Sequence, residues 1–277
     1  MSDTSLTNEH NATLLADHKK PQTISELLYS DAVQKELKKA LPSFMNPEKI
    51  ARIALTELRS NSKLMQCDAL SLLGCIMKSS QLGLDIDSLK GHAYLVPYKN
   101  ECQLIIGYKG MLSLAMRSGK LSSVEIQEVR ENDTFHIEHG DNYGLRHSIN
   151  PRRNQRGEII GYYAYAHLTN GGKHFEYMDI EEINEIKLCS KTSNSSTSPW
   201  QTFPSEMAKK TVVRRLCKYL SLSPEMDQAI AIDELTDANV QSQKMRPLIK
   251  TITENELPDF SFERVNTIPP LETQKAA

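Results

Sequence analysis

The chain has 277 residues and a mass of 31.3 kDa, which suits one large domain or two small ones with a buried core. Its 33 basic and 35 acidic residues give a net charge of −2. This excludes a polycation that coats nucleic acid by bulk attraction, so any anion site must be local. Five scattered cysteines without a C-x-x-C pair argue against a disulfide framework and a zinc ribbon. The N-terminus lacks a signal-peptide pattern and no apolar run approaches the ~18 residues of a membrane span, so we expect a cytoplasmic protein with no membrane partner.

Helical periodicity dominates the first third of the chain. Residues 1–23 are polar and are expected to form a disordered arm. Apolar spacing predicts one amphipathic helix over 24–41, and Asn46-Pro47 begins a second that runs to Arg59. A third is expected over 68–82 and ends at Gly83, which can adopt the left-handed conformation of a helix C-terminus.

The middle of the chain shows the period-2 alternation of strands. Strands are predicted at 91–98 and 102–108, at 122–130 and 135–139, and in a hairpin of 159–168 with 173–178, while 110–119 forms a short helix. Asn170-Gly171 suits the tight turn of that last hairpin. We expect one face of strand 159–168 to pack in the core and the other, with Tyr163 and Tyr165, to be amphipathic.

The C-terminal part returns to helices and then becomes acidic. Helices are predicted at 179–191, 204–220 and 223–235, with a Ser/Thr/Asn-rich loop before the second. From Ser221 onward ten acidic residues face five basic ones. The predicted architecture is a single α+β domain over 24–236, with a helical N-terminal part, a central antiparallel sheet of hairpins and a long basic helix packed against it. Residues 237–277 are expected to be an acidic, mostly disordered tail.

One predicted helix carries both an apolar face and a basic one, the segment MAKKTVVRRLCKYL at 207–220. At about 100° per residue, four cations fall in an arc of about 140° opposite the apolar positions: Lys210, Arg214, Arg215 and Lys218. Lys209 falls among the apolar positions and is expected to extend along the surface or into a cleft. Four cations with no acid among them repel one another. The pattern therefore favours an anion site, with phosphate as the obvious anion and a solvated charged face as the alternative.

Aromatic side chains interleave with cations at two other places. The single tryptophan, Trp200, ends the flexible loop before the basic helix, and Lys191 begins that loop. Such a tryptophan is either a core anchor or a platform on which bases stack. Rings and cations also alternate along the first predicted hairpin and the helix after it: Tyr94, Tyr98, Lys99, Tyr108, Lys109 and Arg117. These rings either pack across the strands or meet a single-stranded nucleic acid.

Enzyme signatures are weak, and we expect no catalytic site, no metal site and no cofactor. The nearest approach to a P-loop, Ser118-Gly119-Lys120-Leu121, lacks the first glycine and the magnesium-binding hydroxyl. His136 and His139 would point to opposite faces of a strand, which argues against a shared metal. Glu185-Ile-Lys187 resembles the E-x-K of metal-dependent nucleases but falls on a predicted helix.

Long stretches of the chain resemble the RecT family of phage single-strand-annealing recombinases. The resemblance lies in GHAYLVPY, in QLIIGYKGMLSLAMRSGKL, in the glycine hairpin before HFEYM, and above all in PW followed by EMAKKTVVRRLCKYL, and it runs from about Leu27 to Glu234. It implies an ATP-independent protein of a bacterial host cytoplasm that binds single-stranded DNA, forms rings or helical filaments and pairs complementary strands through an annealed duplex intermediate. A partner exonuclease and the host single-strand-binding protein are implied as well.

The resemblance also assigns roles to residues of this chain. Lys109, Arg117, Lys209, Lys210, Arg214 and Arg215 become the expected phosphate contacts. Trp200 and Tyr98 become the expected contacts to bases or sugars. Two alternatives stay open: a metal-dependent nuclease that uses Glu185 or the Asp85/Asp87 pair, and a phage scaffold protein whose basic helix meets an acidic partner.

Overall fold

The computed structural model describes residues 24–190, 195–196, 198–220, 222–237 and 241, which form helices and antiparallel strands, as the α+β prediction requires. The helices are α1 (Ile24–Leu28), α2 (Asp31–Ala40), α3 (Pro47–Ser60), α4 (Ala69–Gln81), α5 (Tyr108–Arg117), α6 (Ile180–Cys189), α7 (Pro199–Thr202), α8 (Pro204–Lys218) and α9 (Pro224–Asp237). The strands are β1 (Ala93–Tyr98), β2 (Glu101–Ile106), β3 (Leu121–Arg130), β4 (Thr134–Glu138), β5 (Gly144–Ser148), β6 (Ile159–Leu168) and β7 (Lys173–Asp179).

Side-chain caps decide where the N-terminal helices begin. The predicted helix over 24–41 is interrupted because the Ser30 hydroxyl donates to the Leu27 carbonyl at 2.7 Å and accepts from the Val33 amide at 3.4 Å. Helix α4 begins after Asp68, whose carboxylate accepts from the Ser71 amide at 3.0 Å. Its last residue is Gln81, and Gly83, with a φ of +64°, follows the C-cap Leu82. The predictions for α3 and α4 are thus confirmed.

The strands divide into three antiparallel sheets, where the sequence predicts one. β1 pairs with β2, β4 pairs with β5, and β6 lies between β3 and β7. Strand β5 has no sequence prediction, because Gly-Leu-Arg-His-Ser lacks a clear apolar alternation. The β4–β5 hairpin covers the outer face of β6, so Tyr163 and Tyr165 are only 3% and 8% exposed. The second face of β6, which the sequence predicts to be amphipathic, is therefore buried at Tyr163 and Tyr165.

Helix α8 packs against the β3–β6–β7 sheet, as predicted, through buried Val212, Val213 and Leu216. Helix α9 packs beside β2 and α5 and joins the main core. The Gln241 side chain is buried and pairs with both the amide and the carbonyl of Leu104, at 2.8 and 2.7 Å. The packed structure therefore includes a residue of the predicted acidic tail. The predicted arm at 1–23 and the rest of the tail beyond Asp237 lie outside the described residues.

Candidate nucleic-acid interface

A cleft of about 540 Å³ opens between the β1–β2 hairpin, the C-terminal end of α3 and helix α8. Lys210 and Arg214 line it from α8, while Tyr94 and Tyr108 line it from the hairpin and the start of α5. These four residues come from two separate motifs of the sequence, the basic helix and the tyrosine-bearing hairpin. The fold thus joins cations and rings that the sequence alone leaves about a hundred positions apart.

Of the two cations that line this cleft, Lys210 forms no direct ion pair in the part of the chain that the structure describes, although the Asp233 charge acts on it from a distance. Its ammonium group makes no ion pair or hydrogen bond there, and the side chain is half-buried. Burial lowers its pKa below the usual lysine value, and the nearby charge of Arg214 lowers it further, while Asp233 opposes the shift. An anion bound beside the ammonium group would oppose this shift by stabilising the charged form.

A buried acid, Asp233, binds the guanidinium of Arg214. The Asp233 carboxylate of α9 is fully buried and accepts from Arg214 Nε at 2.8 Å and from Arg214 Nη2 at 2.6 Å. Lys218 lies on the same carboxylate, with its Nζ 3.7 Å from Oδ2. A planar guanidinium that donates hydrogen bonds from two nitrogens to one carboxylate has a fixed orientation. Asp233 therefore sets how Arg214 borders the cleft.

Acids also pair with two further cations of α8, Arg215 and Lys209. Arg215 Nη1 lies 3.0 Å from Glu182 of α6 and Nε lies 3.9 Å from Glu176 of β7. Lys209 lies 3.0 Å from Glu206 of its own helix. The sequence predicts four basic side chains with no acid among them. In the fold, however, carboxylates of other elements, Glu176, Glu182 and Asp233, lie against three of those four cations.

One carboxylate of α3 also faces the cleft. Glu57 Oε1 accepts from the Ser88 amide at 3.2 Å and from the Ser88 hydroxyl at 3.0 Å, which ties α3 to the loop before β1. The cleft is therefore only modestly cationic. Sequence reasoning missed both Glu57 and Asp233. For Asp233 a signal exists, since it falls three and four residues after Ile230 and Ala229 on the inward side of α9.

Of the aromatic candidates, Tyr94 and Tyr108 line this cleft, whereas Tyr98 and Trp200 do not. Tyr94 is half-buried within it, and burial raises the pKa of its phenol. Tyr98 lies at the end of β1, where Lys99 stands over its ring at 5.7 Å from the centroid, and neither residue lines the cleft. Trp200 is 6% exposed and packs in the main core, so in this structure it has little surface to offer a base. Lys191 lies outside the described residues.

The two cations of α5 also lie outside the cleft lining. Arg117 Nη2 donates to the Leu82 carbonyl at 2.7 Å, and its guanidinium stands 5.5 Å from the centroid of the Phe44 ring. These contacts tie α5 to the end of α4, which is a structural role. Lys109 is exposed, and both Lys109 and Arg117 are close enough to His92 to lower its pKa, although burial is the larger cause.

The residues considered for metal chemistry are dispersed. Among the described residues no three His, Cys, Asp or Glu side chains come together as a metal site. Asp133 is buried against Arg156, with bonds of 3.0 and 2.6 Å, and against His147 at 3.2 Å. Hydrogen bonding to Arg156 is the main reason that the pKa of Asp133 lies well below its usual range. Glu185 is exposed on α6, and Asp85 pairs with Lys90.

A fold that brings two cations and two tyrosine rings into one open cleft has the features of a nucleic-acid-binding protein. In the described residues no helix is long and apolar enough to cross a membrane. The chain belongs to the RecT family, whose model matches residues 48–247. That family consists of DNA recombination and annealing proteins rather than classical catalytic enzymes.

Two curated proteins are similar over most of their length. Protein RecT of Escherichia coli K12 is 41% identical over 223 residues, which are 78% of this chain and 81% of that protein. The uncharacterized protein YqaK of Bacillus subtilis 168 is 28% identical over 215 residues, which are 77% of this chain and 73% of that protein. The resemblance found in the sequence motifs is thereby confirmed.

Proposed function

We propose that this protein binds single-stranded DNA through the cleft beside α8 and pairs it with a complementary strand without hydrolysing ATP. The observation that carries the proposal is Lys210, a half-buried cation that forms no direct ion pair among the described residues and that lies in a tyrosine-lined cleft of a RecT family member. A phosphate placed there satisfies the ammonium group and stands beside the oriented guanidinium of Arg214.

The proposed mechanism is charge neutralisation. Cations of the protein cover the phosphates of one strand, which lowers the repulsion that a second strand meets on approach. The bases of the bound strand face outward and test pairing with the second strand. Sequence specificity then comes from base pairing, and the protein supplies only backbone contacts. Since the sequence has no phosphate-cradling loop of the P-loop type, the energy comes from pairing itself.

Membership of the RecT family supports a proposal for the assembly and its setting. The proposal includes a homo-oligomer, as a ring or helical filament, that acts in the cytoplasm of a bacterial host. A partner exonuclease would expose the single strand. This protein would contact the host single-strand-binding protein on that DNA. The similarity to proteins of two bacteria supports the bacterial setting.

A direct test mixes complementary labelled oligonucleotides with the protein, with and without ATP and magnesium. We expect faster duplex formation than in buffer alone, equal with and without ATP, and no shortening of the strands. A requirement for ATP would refute the proposed mechanism, and shortened strands would favour the nuclease alternative. Lys210→Gln should slow annealing, whereas Lys173→Gln, an exposed lysine at the start of β7, serves as the control of equal charge change.

A further inference from the structure

Helix α3 carries a second row of cations on its exposed face. Lys49, Arg52, Thr56 and Arg59 follow one another at intervals of three and four residues and are all exposed. At about 100° per residue they fall within an arc of about 80°. The opposite side of the helix is buried in the core through Ile50, Ala51, Ala54, Leu55 and Leu58. We call the exposed row of Lys49, Arg52, Thr56 and Arg59 the α3 stripe.

The α3 stripe differs from the basic face of α8 in its partners. The charged groups of Lys49, Arg52 and Arg59 make no ion pair or hydrogen bond to any residue that the structure describes. The helix has two acids: Glu57 is bound to Ser88, and Glu48 lies beside the stripe at its N-terminal end without pairing to it. Like charges at helical spacing repel one another. These cations are therefore available to an external polyanion.

The α3 stripe leads into the cleft. Ser60 and Asn61, the two residues directly after Arg59, line the cleft that contains Lys210 and Arg214. From Lys49 to Arg59 the helix rises by about 15 Å, at 1.5 Å per residue. A helically stacked DNA strand carries one phosphate per ~3.4 Å. The stripe thus has the length of about four phosphates, and it begins where the modestly cationic cleft ends.

We propose that the α3 stripe is a phosphate-binding track that continues the DNA path from the cleft along α3. The proposal rests on the proposed function, since it requires that DNA occupies the cleft. It assigns phosphate contacts to Lys49, Arg52 and Arg59, three residues that no sequence motif marks. The occupant is the backbone of the same strand that Lys210 contacts, read without base specificity.

The test compares two double variants of equal charge change across a series of oligonucleotide lengths. Arg52→Gln/Arg59→Gln removes two cations of the stripe. Lys35→Gln/Lys38→Gln removes two exposed cations of α2, which also lack partners among the described residues. Affinity for the shortest oligonucleotide that the wild type binds should be equal in all three proteins. The gain in affinity on adding further nucleotides should be smaller in the stripe variant alone.

The salt dependence supplies the magnitude. For long oligonucleotides the slope of log K against log salt should fall by about 1.4 in the stripe variant, at ~0.7 per lost contact to a single strand. If the two double variants had equal affinity and equal salt slopes at every oligonucleotide length, the α3 track would be overturned. The exposed face of α3 would then contact solvent or an acidic protein. A loss as large for the shortest oligonucleotide as for the longest would overturn it too. Lys210→Gln keeps the two proposals separate, because it should weaken binding at all lengths even if the track is absent.

Discussion

Asp233→Asn tests the idea that a buried acid holds the basic face of α8 in place. The carboxylate is fully buried, it binds two nitrogens of Arg214 at 2.8 and 2.6 Å, and Lys218 lies 3.7 Å away. Asparagine keeps the shape and one oxygen acceptor but removes the negative charge. The variant therefore leaves two cations facing a neutral amide in the core.

The magnitude follows from the burial of the two partners. Removing one partner of a fully buried ion pair costs roughly 3–5 kcal/mol. Because the Arg214 side chain is 34% exposed and can turn to water, we expect a smaller loss of unfolding free energy, about 2 kcal/mol. Glu182→Gln is the matched control, because Glu182 of α6 pairs with another cation of the same α8 face, Arg215, and these two side chains are 42% and 40% exposed. An exposed pair of this kind is worth roughly 0.5 kcal/mol.

Urea unfolding followed by tryptophan fluorescence measures both variants, because the single tryptophan, Trp200, is buried in the main core. With a denaturant slope of ~3 kcal/mol per molar, Asp233→Asn should lower the midpoint by about 0.7 M and Glu182→Gln by about 0.2 M. DNA affinity of the folded Asp233→Asn protein should also fall, since Arg214 loses its fixed orientation. Equal midpoints for the two variants would refute the structural argument.

Three further predictions concern single groups. Lys210→Gln should weaken single-strand binding about tenfold and lower the slope of log K against log salt by ~0.7. The difference in affinity between the variant and the wild type should become smaller as pH rises through the lowered pKa of Lys210. Titration of a labelled oligonucleotide measures both effects. Asp133 has a lowered pKa in the folded protein, so its contribution to stability is complete above the ordinary unfolded pKa near 4 and is lost as pH falls toward the folded value. Asp133→Asn should therefore flatten the acid side of a plot of melting temperature against pH. An unchanged plot would contradict this. Gln241→Ala should lower the melting temperature because it removes the side-chain partner of the Leu104 amide and leaves the Leu104 carbonyl with the Thr236 hydroxyl at 3.3 Å. A truncation after residue 247, where the family match ends, should leave the melting temperature unchanged.

Much of the fold is encoded locally and could be predicted. Caps, helix-ending glycines and period-2 alternation act within a few residues of their own position, so α3, α4, α8 and the β6–β7 hairpin follow from the sequence. The break at Ser30 is also local. A serine inside an apolar helical pattern, however, does not by itself indicate whether its side chain caps a new helix or stays within a continuous one. The division into three sheets is not local, because it depends on which strand edges meet.

The site divides in the same way. The sequence by itself determined that α8 has a basic face, that tyrosines alternate with cations along the first hairpin, and that the chain resembles the RecT family. Only the tertiary structure decided which of those cations are paired with acids of the protein and which can bind an external anion. Asp233 and Glu182, distant in sequence, pair with Arg214 and Arg215, while Lys210 in the cleft forms no direct ion pair with any residue that the structure describes. Charge on a helix face is a property of sequence, but its neutralisation is a Coulombic interaction over a few ångströms, and only the packing of other elements against that face sets those distances.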